Sequence, residues 1–401
     1  MLRLYTALFL TLAVTLVPAR ADPIAAAVAD NAGVTAFLDA LWLDAQKQGI
    51  ARVTFDRAFA GFTPDPRVIA ATQREPEYGK PVGDYVNAVA AKSRIAEGAA
   101  KAVQWAGVLD AIERQYGVER WIVLALWGIE SSYGSGQDRW DVIRSLATLA
   151  QARYRDPYFR DELLIALRIL QEGHIARERM LGSWAGAMGQ PQFMPSSFYA
   201  YAVDFTGDGR RDIWTSVPDV LASIANYLAR SGWQRGLPWG YEVALPRNFD
   251  YRRARGPFAD WTQRGVRRTD GGALPREGDG FLLFPSGAAG PAFLVTTNFN
   301  VIKTYNNSDV YALGVGHLAD RMHGGAPFRA AWPKDDPQLS RDARTALQHK
   351  LASLGYAVHD FAGRLDFDQR DAIRELQAGF GMVPDGQPTS ALMRRLGVAV
   401  K

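Results

Sequence analysis

From about residue 30 to Ser231 the chain keeps a helical rhythm, and after Ser231 the rhythm stops. Residues 30–130 read as mostly helical, with Ala-rich periodic stretches at 84–97 and 102–115. Glu119 to Glu130 is dense in strong helix formers and ends near Gly134 and Gly136. Amphipathic patterns at 141–153 and 158–172 predict two more helices, the second opening after Asp156-Pro157, and 218–231 predicts another. Residues 183–198 mix Gly, Pro and Ser with Met and Phe, which suits a structured loop more than a linker. Past Ser231, Gly and Pro become frequent and short β-prone runs appear at Tyr241–Leu245, Gly280–Phe284 and Ala292–Thr297. These runs predict a small β-containing subdomain at about 235–300, followed by a helix near 309–323. The fold class expected is therefore mainly α (α+β).

Residues 324–337 read as an interdomain linker, and 338–401 as a compact helical unit. In that unit Leu339, Ala343, Leu347 and Leu351 share one helical face, with Leu354 and Tyr356 following. Ala372, Leu376 and Phe380 line a second helix, and Leu392 and Leu396 a third. A chain of 401 residues has room for two or three domains. Hydrophobic residues at 48% and charged residues at 22% allow a sizeable core.

The first 21 residues read as a leader. Arg3 precedes an apolar run from Ala7 to Val17, and Ala19-Arg20-Ala21 fits an A-x-A cleavage site. The run is too short for a comfortable membrane span, so a mature chain starting at Asp22 is expected to be exported and soluble. With no cysteine there can be no disulfide, thiol catalysis, thiolate metal site or lipid attachment through cysteine. A formal charge of +4 is too small to argue for nucleic acid. It is compatible with an anionic polymer without requiring one.

One carboxylate stands out. Helical spacing places Val123, Leu126, Trp127 and Glu130 on one face. A carboxyl on an apolar, aromatic face loses solvation when charged, which raises its pKa and suits a glycosidase acid. Spacing alone leaves a second account open, a carboxylate paired at a helix end. A second pattern runs from Asp204 to Asp212 and resembles an EF-hand loop. Asp204, Thr206 and Asp208 take the alternating ligand positions, Gly209 the sharp turn, Arg210 the backbone-carbonyl position and Asp212 the next ligand position. Thr215 stands where such a loop has a bidentate Glu, so a Ca²⁺ site and a plain Asp/Gly-rich turn both remain open. The five histidines form no H-x-x-x-H or H-E-x-x-H pattern, which leaves a zinc peptidase without support.

Three motifs carry a resemblance. They are Trp127-Gly-Ile-Glu130-Ser-Ser-Tyr-Gly134, the loop Gly182-Ser-Trp-Ala-Gly-Ala-Met-Gly-Gln-Pro-Gln-Phe-Met-Pro-Ser-Ser197, and Tyr201-Ala-Val-Asp-Phe-Thr-Gly-Asp-Gly209. Over roughly residues 30–325 the chain resembles the lytic murein transglycosylase B family. The resemblance implies a lysozyme-like helical catalytic domain over 22–323 with a small β subdomain, and Glu130 as sole acid/base. It implies Ser183 and Gln192 as hydrogen-bonding partners of the sugar or of Glu130, Met188 packing beside the cleft, and Tyr85, Tyr227, Tyr305, Asn306 and Tyr311 as cleft residues. It also implies a variant calcium loop whose last acid comes later, which Asp219 matches after a one-residue insertion, so that Asp204, Thr206, Asp208, Arg210 and Asp219 would hold a structural Ca²⁺. No cofactor is expected for the chemistry itself.

The last domain resembles the type 1 peptidoglycan-binding module. The carrying residues are Ala346-Leu-Gln348 through Tyr356, Gly363 to Asp368, Ala372 through Gln377 to Asp385-Gly386, and Leu392. That implies a three-helix module which holds the enzyme on its polymer. The reading that results is a periplasmic, monomeric lytic transglycosylase acting on peptidoglycan glycan strands. It would cleave the β-1,4 MurNAc–GlcNAc bond and form 1,6-anhydro-MurNAc. Two alternatives stand beside it: a lysozyme-type hydrolase on the same fold, and a non-catalytic wall-binding scaffold.

Overall fold

The computed structural model describes residues 31–72, 81–136, 140–334 and 338–399. The stretch read as a leader at 1–21 and residues 335–337 of the expected linker lie outside those residues. Among the described residues no helix is long and apolar enough to cross a membrane.

The helix Arg120–Ser131 sits at the centre. Ile122 to Gly128 are all buried. A helix that is apolar on every side must be enclosed by others. Here the helices Lys92–Gln104, Ala106–Tyr116, Val217–Arg230 and Asp309–Met322 enclose it. Val123, Leu126, Leu221, Ile224, Leu313 and Leu318 form part of that core at 0% exposure. A second core joins Asn31–Lys47 and Arg52–Phe59 to the pair Val142–Gln151 and Tyr158–Gln171. Both helices of that pair fall where the amphipathic spacing predicts them. Two short strands, β1 (Trp140–Asp141) and β2 (Leu181–Gly182), pair beside it.

The β-prone runs form a five-stranded antiparallel sheet. Its strands are β3 (Gly240–Ala244), β4 (Arg255–Pro257), β5 (Arg267–Arg268), β6 (Asp279–Leu283) and β7 (Ala292–Val295), ordered β4-β6-β7-β3-β5. Successive residues of β7 serve different cores. Phe293 and Val295 face the helical core, while Ala292 and Leu294 face a small core with Phe258, Trp261 and Phe284. A strand buried on both faces reads as a continuous apolar run, which explains why this segment lacks alternation.

The segment 324–334 is packed against the domain before it. Phe328 stacks on His317 at 3.8 Å between ring centroids and meets Phe293 at 4.8 Å. Trp332 lies so close to Gly83 that a Cβ there would come within 2.5 Å of the indole. The Glu242 carboxylate accepts the backbone N–H groups of Arg329 and Ala330 at 3.0 and 2.8 Å.

The C-terminal unit is three helices, Arg341–Ser353, Phe367–Gly379 and Ser390–Arg395. Leu347, Leu351, Ile373 and Leu392 are fully buried in its core. Gln348 and Gln377 are its buried polar joints. Gln348 accepts from Gly363 N–H and donates to the Arg364 carbonyl. Gln377 accepts from Gly386 N–H and donates to Asp385. Phe380 is 37% exposed, against expectation. The helix ends at Gly379, so Phe380 falls out of period and Ile373 takes the core place. Leu354, just past the first helix, is exposed as well.

The loop 204–219 is closed by its own carboxylates. Asp204 accepts the backbone N–H groups of Gly207 and Gly209, both at 2.7 Å. Asp219 is fully buried and accepts those of Phe205, Thr206 and Asp212 at 3.0–3.1 Å. Leaving such donors unpaired costs ~1–3 kcal/mol each before relaxation. Asp219→Ala is therefore expected to lower unfolding free energy by about 3 kcal/mol in urea titrations. The loss should persist in EDTA, because these bonds run to backbone N–H groups and need no metal.

Candidate active site

Glu130 lies one residue from the end of the central helix, half-buried, just past the run that anchors it. The chain then turns sharply. Ser132, Tyr133 and Gly134 have φ of 48°, 57° and 82°. Two consecutive non-glycine residues in the left-handed region are uncommon, and such strain persists only where surroundings enforce it. Here the Tyr133 ring is driven against Gly128, where a Cβ would approach within 2.5 Å. Its hydroxyl donates to the Arg94 carbonyl at 2.9 Å. The turn thus folds back on the helix and fixes the direction from which Glu130 emerges.

The Tyr311 hydroxyl donates to Glu130 Oε1. Tyr311 is 3% exposed on the helix Asp309–Met322, which packs along the central helix. Burial and then the neighbouring Glu130 carboxylate push its phenol well above the usual tyrosine range, so it remains a donor. Tyr305, on the helix Thr297–Tyr305, is raised for the same two reasons. The electrostatic influence of Glu130 on both rings, and of Tyr85 on Tyr311, places these four residues in one neighbourhood.

The loop after Gly182 meets this neighbourhood through aromatic rings. Phe193 lies 5.7 Å from Tyr227 and 5.9 Å from Tyr305, and Tyr227 lies 4.8 Å from Tyr305, between ring centroids. Tyr305 donates its hydroxyl to the Pro191 carbonyl at 2.7 Å, and Tyr227 to the Thr304 carbonyl at 2.6 Å. Gln192 follows Pro191 with a φ of 55°, and its amide donates to the Gly189 carbonyl at 2.9 Å. Ser183 Oγ accepts the Ala187 N–H at 3.1 Å. Ser183 and Gln192 thus make these bonds inside the loop. Met188 is fully buried, below the loop surface, where it bridges Gly182 and Phe193 through its backbone. Asn306 follows Tyr305, and its carbonyl accepts the Ser308 N–H at 2.7 Å.

Sequence reasoning missed Gln190. Its Oε1 accepts Trp127 Nε1–H at 2.7 Å, and its Nε2 donates to the Trp214 carbonyl at 2.8 Å. One side chain thus joins the central helix, the Gly-rich loop and the 204–219 loop. The sequence signal was the pair of glutamines flanking Pro191, of which only Gln192 was singled out.

Asp141 caps the helix Val142–Gln151 and pairs with Arg177 at 2.8 Å, which commits it to structure. Among the described residues no three His, Asp or Glu side chains are grouped to hold a metal ion. The types at Asp204, Thr206, Asp208, Arg210 and Asp219 suit a hard cation. Asp204 and Asp219 also accept backbone N–H groups, which takes up some but not all of their lone pairs.

Comparison with known proteins accords with this geometry. Residues 33–320 match the family model of the transglycosylase SLT domain, and 340–396 match that of a peptidoglycan binding domain. The membrane-bound lytic murein transglycosylase B of Escherichia coli (strain K12) is 32% identical over 235 residues, 55% of this chain. That alignment spans 62% of the length of the relative. The crystal structure of SltB3 from Pseudomonas aeruginosa in complex with NAG-anhNAM-pentapeptide is 46% identical, with a TM-score of 0.83, over 91% of this chain and 99% of that one. The Escherichia coli lytic transglycosylase Slt35, solved in complex with calcium, shares the fold at 24% identity and a TM-score of 0.61, over 74% of this chain and 94% of that one. With a lysozyme-like helical domain, a small sheet and a helical C-terminal unit in place, the chain belongs to the transglycosylase SLT domain family.

Proposed function

We propose that this protein is a lytic transglycosylase that cleaves the β-1,4 MurNAc–GlcNAc bond of peptidoglycan and closes a 1,6-anhydro ring on the MurNAc, with Glu130 as its single acid/base. The observation that carries the reading is the Glu130 carboxyl held against the Tyr311 hydroxyl at the end of a buried helix. The likeness to SltB3, solved with a NAG-anhNAM-pentapeptide, supports the product.

Glu130 begins protonated and gives its proton to the glycosidic oxygen as the bond to C1 breaks. The N-acetyl group of the muramic sugar shares the positive charge that develops at C1. Glu130, now a carboxylate, takes the proton of the C6 hydroxyl, and O6 bonds to C1. The carboxyl is regenerated and no water is consumed. One carboxyl therefore serves where ordinary glycosidases use two. Tyr311 holds that carboxyl through both steps. It donates to the carboxylate once the proton has left, which stabilises the charged state between them. Ser183, Gln192, Asn306, Tyr85, Tyr227 and Tyr305 are proposed to contact the sugar, with Met188 supporting the loop from beneath. The leader pattern supports export to the periplasm, where the enzyme would act as a soluble monomer without a cofactor.

Mass spectrometry of digested sacculi is expected to show muropeptides one water lighter than reducing-end products. Reducing-end muropeptides alone would establish a hydrolase. Glu130→Gln should abolish lysis while the protein still pellets with sacculi; undiminished lysis would remove Glu130 from its role. Tyr311→Phe should lower kcat about 10- to 100-fold, the loss of a hydrogen bond to a charged group. The sign of its pH effect follows from the donor. Without the hydroxyl the carboxylate form is less favoured, so Glu130 keeps its proton to higher pH and the alkaline fall in activity moves upward.

A further inference from the structure

We infer that Arg370, on the C-terminal wall-binding unit, is a positioning residue for the Glu130–Tyr311 pair. It acts through a buried ion cluster with Asp309 and Lys303. The inference rests on the reading of Glu130 given above.

The C-terminal unit is not strung on a loose tether. It is seated on the sheet at its edge strand β4 and the adjoining β6. Arg255 pairs with Asp368 and Asp371 at 2.7 and 2.8 Å, and Phe281 meets Phe367 at 5.1 Å between centroids. Asp385 accepts the Ala288 N–H at 2.8 Å.

At the other side of this seat the contact reaches the acid. Asp309 is the first residue of the helix that carries Tyr311, and its side chain is only 8% exposed. Its two oxygens are divided between the two domains. Oδ1 pairs with Lys303 at 2.6 Å, and Oδ2 with Arg370 at 2.6 Å. Burial opposes the charge on Asp309, but Lys303 and Arg370 outweigh it and hold the carboxyl at about 2. Arg370 has no slack. Nε and Nη2 donate to Asp309, while Nη1 donates to the Gly386 carbonyl and to Gln387. The guanidinium thus bolts the Asp385-Gly386 turn of one domain to the helix start of the other.

The spacing links this bolt to the chemistry. Residues two apart on a helix point to nearly opposite sides. Asp309 faces the C-terminal unit while Tyr311 faces Glu130. Lys303 stands two before Tyr305 in the same way, and its ammonium lies 5.7 Å from the Phe367 ring of the wall-binding unit. Tyr305 and Tyr311, the tyrosines that Glu130 acts on electrostatically, are therefore each two residues from a member of one ion cluster, and that cluster is completed from the other domain. Removing Arg370 leaves a buried carboxylate half-paired at the start of the helix. The helix start must then shift or hydrate, and small displacements of a reacting group are costly in rate.

The test uses the full-length enzyme on soluble, uncross-linked glycan fragments, whose turnover does not depend on retention by sacculi. Wild type and Glu130→Gln are run first, so that failure of the catalytic reading is seen separately. Arg370→Ala is expected to lower kcat about 10- to 100-fold with little change in KM, and to move the alkaline limb of the pH profile. Arg370→Lys should recover part of the rate. Asp309→Asn should lose at least as much as Arg370→Ala, because it also unpairs Lys303, and the double variant no more than Asp309→Asn alone. Arg255→Ala loosens the same seat away from the tyrosines and should leave kcat near wild type. Sacculus pelleting and thermal melting show that each variant is folded with its wall-binding unit intact. A kcat within about twofold of wild type for Arg370→Ala, a loss confined to KM, or an equal loss in Arg255→Ala would each overturn the inference; the scale is set by the contribution of a well-placed charged contact.

Discussion

The enclosure of Arg120–Ser131 by helices on every side is the constraint from which the site follows. A helix with no polar face cannot rotate or slide without exposing Val123, Leu126 or Trp127, and each is buried to within 1%. Removing a fully buried large side chain typically costs ~3–5 kcal/mol, so the register of this helix is strongly determined. Glu130 inherits that determination. It stands where the apolar run ends, and the left-handed turn at Ser132 and Tyr133 closes the helix behind it. The helix that carries this carboxyl is held by its apolar neighbours.

Much of this architecture was legible because its signals are local. The helices at 141–153 and 158–172 appear as Val142–Gln151 and Tyr158–Gln171. The three β-prone runs appear as β3, β6 and β7, each within two residues of its expected bounds. The helix Thr297–Tyr305 was not read, since its sequence is largely polar and its start is signalled only by Thr296 as cap. Strands of two residues such as β1, β2 and β5 are too short to show a period.

The site was legible only in part, and the limit is sequence distance. Spacing put Glu130 on an apolar face, but its partner Tyr311 lies 181 residues away. No periodicity couples such positions; only the packing of Asp309–Met322 along the central helix does. Gln190 was missed for the same reason, since its value lies in Trp127 and Trp214, 63 residues before and 24 after it. Phe380 shows the opposite failure. The period was extended one residue past the end of its helix, and a core place was assigned to a ring that is exposed.

The tyrosine hydroxyls carry a consequence for recognition. Tyr305 and Tyr227 have given their only protons to the Pro191 and Thr304 carbonyls. A phenol has one proton to donate. In the proposed saccharide site these rings retain an acceptor lone pair and a flat carbon surface. Such a surface reads the shape of a pyranose, not the pattern of its hydroxyls. Decoration that leaves the ring face clear would pass unnoticed by these two rings, and discrimination between differently modified strands would have to arise from Tyr85, Asn306 and the backbone amides and side chains of the Gly-rich loop.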